Sequence, residues 1–180
     1  YGVPKPFMVI ATENPIDLDG TYRLPEAQLD RFMMKISIGY PSQEVEANVL
    51  RSERNGATVR SVEPVLSVDV LLSMMEFVKS VQVAPIIDDY VVALAHYTRS
   101  APGVRLGVSP RGSLALIRAS RAAAAASGRN FVTPEDVKQL AVSVLAHRII
   151  MQPESELSGI KGSDIVEAAL SSVPVPRRAE

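Results

Sequence analysis

The chain has 180 residues, 47% of them hydrophobic, with 19 basic and 20 acidic side chains and a formal net charge of −1. That length suits one domain, or part of one with a small second unit, and with no Trp, four Phe and five Tyr the core is mainly aliphatic. Near-neutral charge excludes a strongly basic nucleic-acid surface or a polybasic membrane patch. The lack of Cys excludes disulfides and thiolate metal sites and fits a reducing, cytoplasmic setting, and no apolar run reaches the roughly 20 residues of a membrane span.

The opening YGVPKPF is not a signal peptide and has no initiator Met, as expected of a chain already cut. Residues 7–11 (FMVIA) form a continuous apolar run, the pattern of a strand covered on both faces in a parallel sheet. Thr12, Glu13 and Asn14 follow at the strand's C-terminal end, where open α/β sheets bind ligands, and Pro15 stops the ladder. Pro25 and Glu26 open a short helix, with Arg31 at its far end beside Asp30 and Phe32. Residues 33–40 (MMKISIGY) read as a second strand. A helix runs from Ser42 to Arg54, with Val45, Val49 and Leu50 as its apolar side and Asn55-Gly56 as its stop; residues 57–65 are a connector.

From there the pattern is helical. Ser67 caps a helix whose stripe is Val68, Leu71, Leu72, Met75 and Val78 or Phe77. A second helix, residues 85–100, carries Ile86, Tyr90, Val91, Leu94 and Tyr97; its His96 has no partner at ligand spacing and reads as packed or solvated. After a loop over 101–109, Ser109 and Pro110 begin a third helix through the alanine run 122–126, which Gly128 ends. Thr133-Pro134-Glu135-Asp136 starts a fourth, with Val137, Leu140, Ala141, Val144 and Leu145 buried. His147 and Arg148 close it as cations near the dipole's negative end. Residues 151–162 read as a polar loop, followed by a short helix from Ser163 and a tail.

The segments ATENP (11–15), GTYRLPEAQLDRF (20–32) and the strand ending GYPS (39–42) closely resemble the second half of a MoxR-type AAA+ ATPase core. SPRGSLALIRASRAAAAASGRNFVTPEDV (109–137) resembles the family's lid. The resemblance implies a mostly α chain with a small α/β part. Residues 1–60 would be the C-terminal piece of the P-loop core, two parallel strands with helices; 61–150 a helical-bundle lid; and 151–180 a loop, short helix and tail. It implies Asn14 as sensor 1 beside the γ-phosphate and attacking water, Arg31 as an arginine finger reaching a neighbouring subunit's nucleotide, and Arg111 as sensor 2 on a nucleotide phosphate. It implies ATP and Mg²⁺ in an intact parent, a hexameric ring, and protein partners such as von Willebrand factor A-domain proteins. Neither a nucleic-acid partner nor a membrane span is implied.

The residue types suit that chemistry. Phosphoryl transfer is mainly positioning and charge neutralisation; an amide orients water without repelling phosphate, and a guanidinium offers forked donors with permanent charge. Arg111 in a first helical turn opposes the macrodipole, so an anion nearby would offset it. The alternatives are ordinary: Asn14 as a turn former, Arg31 in solvent or paired with Asp30, Arg111 as a surface arginine paired with an acid. Arg105 is a weaker candidate for the same ligand. No G-x-x-x-x-G-K-[ST] occurs, and Glu13, Asp17 and Asp19 stand in the wrong place for a magnesium-holding acidic pair. This chain alone is therefore expected neither to bind ATP tightly nor to hydrolyse it. Rival readings are a non-catalytic helical interaction module, marked by exposed apolar helix faces; the lid of a chelatase-like AAA+ protein; and a DNA-remodelling relative, against which the charge argues.

Overall fold

The computed structural model describes residues 2–13, 25–54 and 63–176. In chain order these contain α1 (Glu26–Leu29), α2 (Gln43–Arg54), α3 (Val68–Ser80), α4 (Pro85–Ser100), β1 (Val104–Leu106), α5 (Pro110–Ala126) and α6 (Pro134–Leu145). A 3₁₀ turn (Ala146–Arg148), β2 (Ile150–Met151), α7 (Pro153–Leu157) and α8 (Gly162–Ser172) follow. The starts are set locally. Proline occupies the first turn of α4, α5, α6 and α7, where its missing N–H has no intrahelical partner to lose. The Ser67 hydroxyl accepts the Val70 N–H at 3.3 Å to cap α3. At α6 the Thr133 N–H donates to Asp136 Oδ2 at 2.8 Å, and Arg129 grips the same carboxylate from outside at 2.5 and 2.8 Å. Burial opposes ionisation of Asp136, but the bonds from Arg129 and Thr133 outweigh it and hold its pKa low.

One aliphatic core joins α4, α5, α6 and α8, built around Val91, Leu94, Leu116, Val137, Val144 and Val166, with Val81 and Val108 from the connecting segments. The expected mostly α class with a helical bundle holds. In α4 the buried stripe includes Ile87 and Thr98, while Ile86 faces out; Tyr90, Val91 and Leu94 are buried as the periodicity suggests. β1 and β2 pair antiparallel, tying a stretch read as loop to another read as loop. Runs of three and two residues are too short to announce themselves by alternation. The polar stretch after Met151 also holds α7, and α8 adds Ile165, Val166 and Ala169 to the common core.

Two expected strands are absent as strands. Residues 7–11 and 33–40 make no ladder among the described residues, and their apolar side chains stand out, with Ile10 79% and Ile38 91% exposed. A strand exists only against a neighbour that takes up its N–H and C=O groups in a ladder, and among the described residues the 33–40 run has only isolated bonds, from Lys35 N–H to Ser143 O and from Arg148 to Met33 O. The two are linked instead through Lys35 Nζ, which donates to Glu13 Oε2 at 2.7 Å. Val45, Val49 and Leu50 of α2, and most of the α3 stripe, are likewise exposed. The sequence pattern marks these faces as apolar, and no described element covers them. The cap at Asn55-Gly56 lies outside the described residues.

Candidate functional site

The site is built where residues 26–35 lie on the helical bundle. α1 lasts one turn. Arg31 N–H donates to Gln28 O and Phe32 N–H to Leu29 O, both at 3.1 Å, so a tight turn carries Asp30, Arg31 and Phe32 past the helix end. From the bundle, the Ser143 carbonyl accepts the Lys35 N–H at 2.9 Å, and Arg105 Nη2 donates to Glu26 Oε1 at 3.2 Å.

The strongest tie is Arg148. Positions 137, 141, 144 and 148 share one face of α6 and its 3₁₀ extension, so this arginine stands where a core aliphatic would be expected. Its side chain is 1% exposed. Nε donates to Val144 O at 2.8 Å; Nη1 donates to Asp30 Oδ1 at 2.7 Å and to Asp30 O; Nη2 donates to Phe32 O at 2.5 Å and Met33 O at 3.3 Å. All five guanidinium N–H donors are thereby used, which is what allows such a charge to be buried. The stem passes close to α5: a Cβ on Gly112 would lie 3.0 Å from Arg148 Cδ.

Asp30 is the shared acceptor. Besides Arg148, it takes Ser109 Oγ at 3.3 Å and Arg111 Nη1 at 3.2 Å. Ser109 is the N-cap of α5, but its hydroxyl makes no capping bond and turns to Asp30, which brings a carboxylate to the helix's positive end. Beside this knot lies a groove of about 490 Å³ lined by Arg31, Met33, Arg111, Leu114, Ala115, Arg118 and Arg148. Four guanidiniums and no carboxylate form its lining. Asp30 offsets part of this charge through Arg148 and Arg111, and the remaining excess favours an anion with several oxygens, which forked donors can hold bidentately.

Residues 96–169 match the family model for the AAA lid domain, and residues 1–34 that for the ATPase family associated with various cellular activities (AAA). The chain is 42% identical to the uncharacterized protein YeaC of Bacillus subtilis, over 95% of this chain and 53% of that one. It is 36% identical to Chaperone MoxR1 of Mycobacterium tuberculosis, over 98% of this chain and 49% of the other. The crystal structure of a provisionally assigned ATPase from Cytophaga hutchinsonii superposes with a TM-score of 0.89 at 34% identity, covering 98% of this chain and 56% of that one. The chain belongs to the MoxR-type AAA+ family. It spans about half the length of the curated relatives it matches.

In this MoxR-type chain, Arg31 and Arg111 come to one groove from segments 80 residues apart in sequence, while Asn14, with Asp17 and Asp19, lies outside the described residues. Arg111 also has the acidic partner set against it as the ordinary alternative, namely Asp30, and Arg105 is paired with Glu26 rather than lining the groove. The sequence reading missed three residues: Asp30 as hub, Arg148 as its buried partner, and Arg118 in the lining. An arginine in register with the Val137, Ala141, Val144 face was the available signal for Arg148.

His147 differs from its expected role as a cation at a helix end. It is half-buried, its Nε2 lies 3.3 Å from Phe32 O, and burial together with the Arg148 charge pushes its pKa below the ordinary 6.5. The folded chain thus disfavours the imidazolium that the unfolded chain accepts. The stability contributed by neutral His147 is full above pH 6.5 and is lost as pH falls through the depressed folded value. Thermal melts of the chain between about pH 5 and 7 should show this loss. His147→Gln should flatten that slope; an unchanged slope would exclude His147 as its source.

Proposed function

We propose that this chain is the sensor, arginine-finger and lid portion of a MoxR-type ATPase that couples ATP binding and hydrolysis to remodelling or maturation of a partner protein. The convergence of Arg31 and Arg111 on one guanidinium-lined groove carries this reading. Arg31 acts in trans on a neighbouring subunit's nucleotide, so the parent is a ring, a hexamer on this reading, in the cytoplasm. Residues 1–60 belong to the α/β core, 61–150 form the lid, and 151–180 are a loop, short helices and tail. Partner proteins bearing von Willebrand factor A domains suit the family resemblance. On this reading Mg²⁺ is held by groups elsewhere in the parent, and this chain alone is expected to be inactive.

The donor set fits a nucleotide's phosphates. When bound, ATP would supply the γ-phosphoryl group and Mg²⁺ would supply positive charge to neutralise it. Arg31 offers a fixed positive charge, and Asn14 an amide that orients water. Arg111 exchanges its half-exposed bond to Asp30 for a phosphate oxygen, which draws α5 and the lid toward the nucleotide.

Two variants test it. Arg111→Ala in the parent should weaken ATP binding and nucleotide-dependent lid closure on the order of tenfold, as loss of a charge-assisted contact does; unchanged affinity and rate would reduce Arg111 to a surface residue. Asn14→Ala should lower kcat about a hundredfold with KM little changed, whereas a lower melting temperature with proportionate loss of activity would make Asn14 a folding residue. A second role, docking of a partner on the helical bundle, takes support from the apolar outer face of α3, where Leu71, Met74, Met75 and Phe77 are all exposed.

A further inference from the structure

Arg148 is the buried lysine or arginine among the described residues, its side chain 1% exposed, and neither its sequence neighbours nor the family motifs assign it a part in the reaction. Four of its five bonds reach across to the segment that carries Arg31: the carboxylate and carbonyl of Asp30, and the carbonyls of Phe32 and Met33. The bonded residues bracket position 31 on both sides. The fifth bond, from Nε to Val144 O, fixes the guanidinium to the end of α6. Arg31 itself is exposed and sits in a turn two residues beyond a four-residue helix, which alone would define its direction poorly.

We propose that Arg148 is a positioning residue for Arg31, a clamp that holds the backbone on either side of it and so fixes where its guanidinium is presented. This rests on the reading of Arg31 as an arginine finger. The geometry requires an arginine: the planar fork spreads its donors over four backbone carbonyls and a carboxylate at once, whereas a lysine ammonium offers three donors from a single atom. Arg148 lines the rear of the groove with its donors already committed, so it acts through Arg31 and the peptide groups, not on the ligand. It also makes the finger's position depend on the end of α6, so a shift of the lid moves Arg31.

The test is a double-mutant cycle on ATP turnover in the full-length parent, with Arg148→Lys, Arg31→Ala and the pair. Arg148→Lys should lower kcat about a hundredfold, the scale for an ångström of misplacement. The KM for ATP should change less than about threefold, because the finger serves the transition state. In the Arg31→Ala background the same substitution should have no further effect. A merely structural arginine would lower kcat by the same factor in both backgrounds. That result, or a near-normal kcat in Arg148→Lys, overturns the proposal. If Arg148→Lys does not yield a folded ring, Asp30→Asn goes through the same cycle: loss confined to the Arg31 background supports the clamp, and equal losses overturn it. Near-normal turnover in Arg31→Ala alone would instead remove the arginine-finger reading, and this proposal with it.

Discussion

Arg31→Ala in the parent ATPase is expected to cut turnover about a thousandfold while leaving ATP binding nearly intact, the range for loss of a guanidinium that stabilises the phosphoryl-transfer transition state. On the proposed reading, ground-state binding draws on groups elsewhere in the parent together with Arg111. The finger's contribution grows as charge moves onto the leaving oxygens, so kcat carries the loss and KM does not. The exposed position of Arg31, in a turn and in the groove's lining, suits a residue that reaches out of its own subunit. Mixed rings make the expectation sharper. Arg31→Ala subunits with intact nucleotide pockets should regain turnover when mixed with subunits whose own pockets are disabled but whose Arg31 is present. Recovery absent from such mixtures would mean that the arginine acts in cis or not at all.

The largest stability effect belongs to Arg148. Arg148→Met in this chain should cost about 3 kcal/mol or more, the scale for breaking a buried ion pair by removing one partner. Methionine approximates the stem's volume, but the carbonyls of Asp30, Phe32, Met33 and Val144 would lose their donor in a part-buried site. Asp30 would keep Arg111 and Ser109, and is itself 25% exposed, which limits the loss. A melting temperature lowered by more than about 10 °C is expected for a helical unit of this size. Arg111→Ala is the control: its side chain is 58% exposed, and a pair of that kind contributes about 0–1 kcal/mol. Equal melting temperatures for the two variants would contradict the account of Asp30 and Arg148 as the main tie between residues 26–35 and the bundle.

Local chemistry made much of the bundle legible. The proline starts of α4, α5 and α6, the Ser67 cap and the Thr133 to Asp136 box are written in adjacent residues and appear where the sequence puts them. The first-turn Arg111 asked for an anion, and one is present in Asp30. Periodicity went wrong where it had to say what covers an apolar face. Residues 7–11, residues 33–40 and α3 carry clear apolar patterns and lie exposed, since a pattern names a face and not its partner. The link from Asp30 to Arg148 spans 118 residues, beyond the reach of any local rule. Its trace in the sequence was a mismatch, a charge on an otherwise aliphatic helix face, of the kind that marks a site where local preference yields to a tertiary demand.

The central claim is that this chain supplies one side of a nucleotide site that another part of the parent completes. Calorimetric titration with Mg-ATP tests it most directly, on the purified chain alone and again after adding the separately expressed upstream half found in its relatives. The account predicts no measurable heat from the chain alone and a binding isotherm once both halves are present. Tight binding by this chain alone would contradict it, because the groove of Arg31, Arg111 and Arg118 would then be a complete phosphate site in its own right.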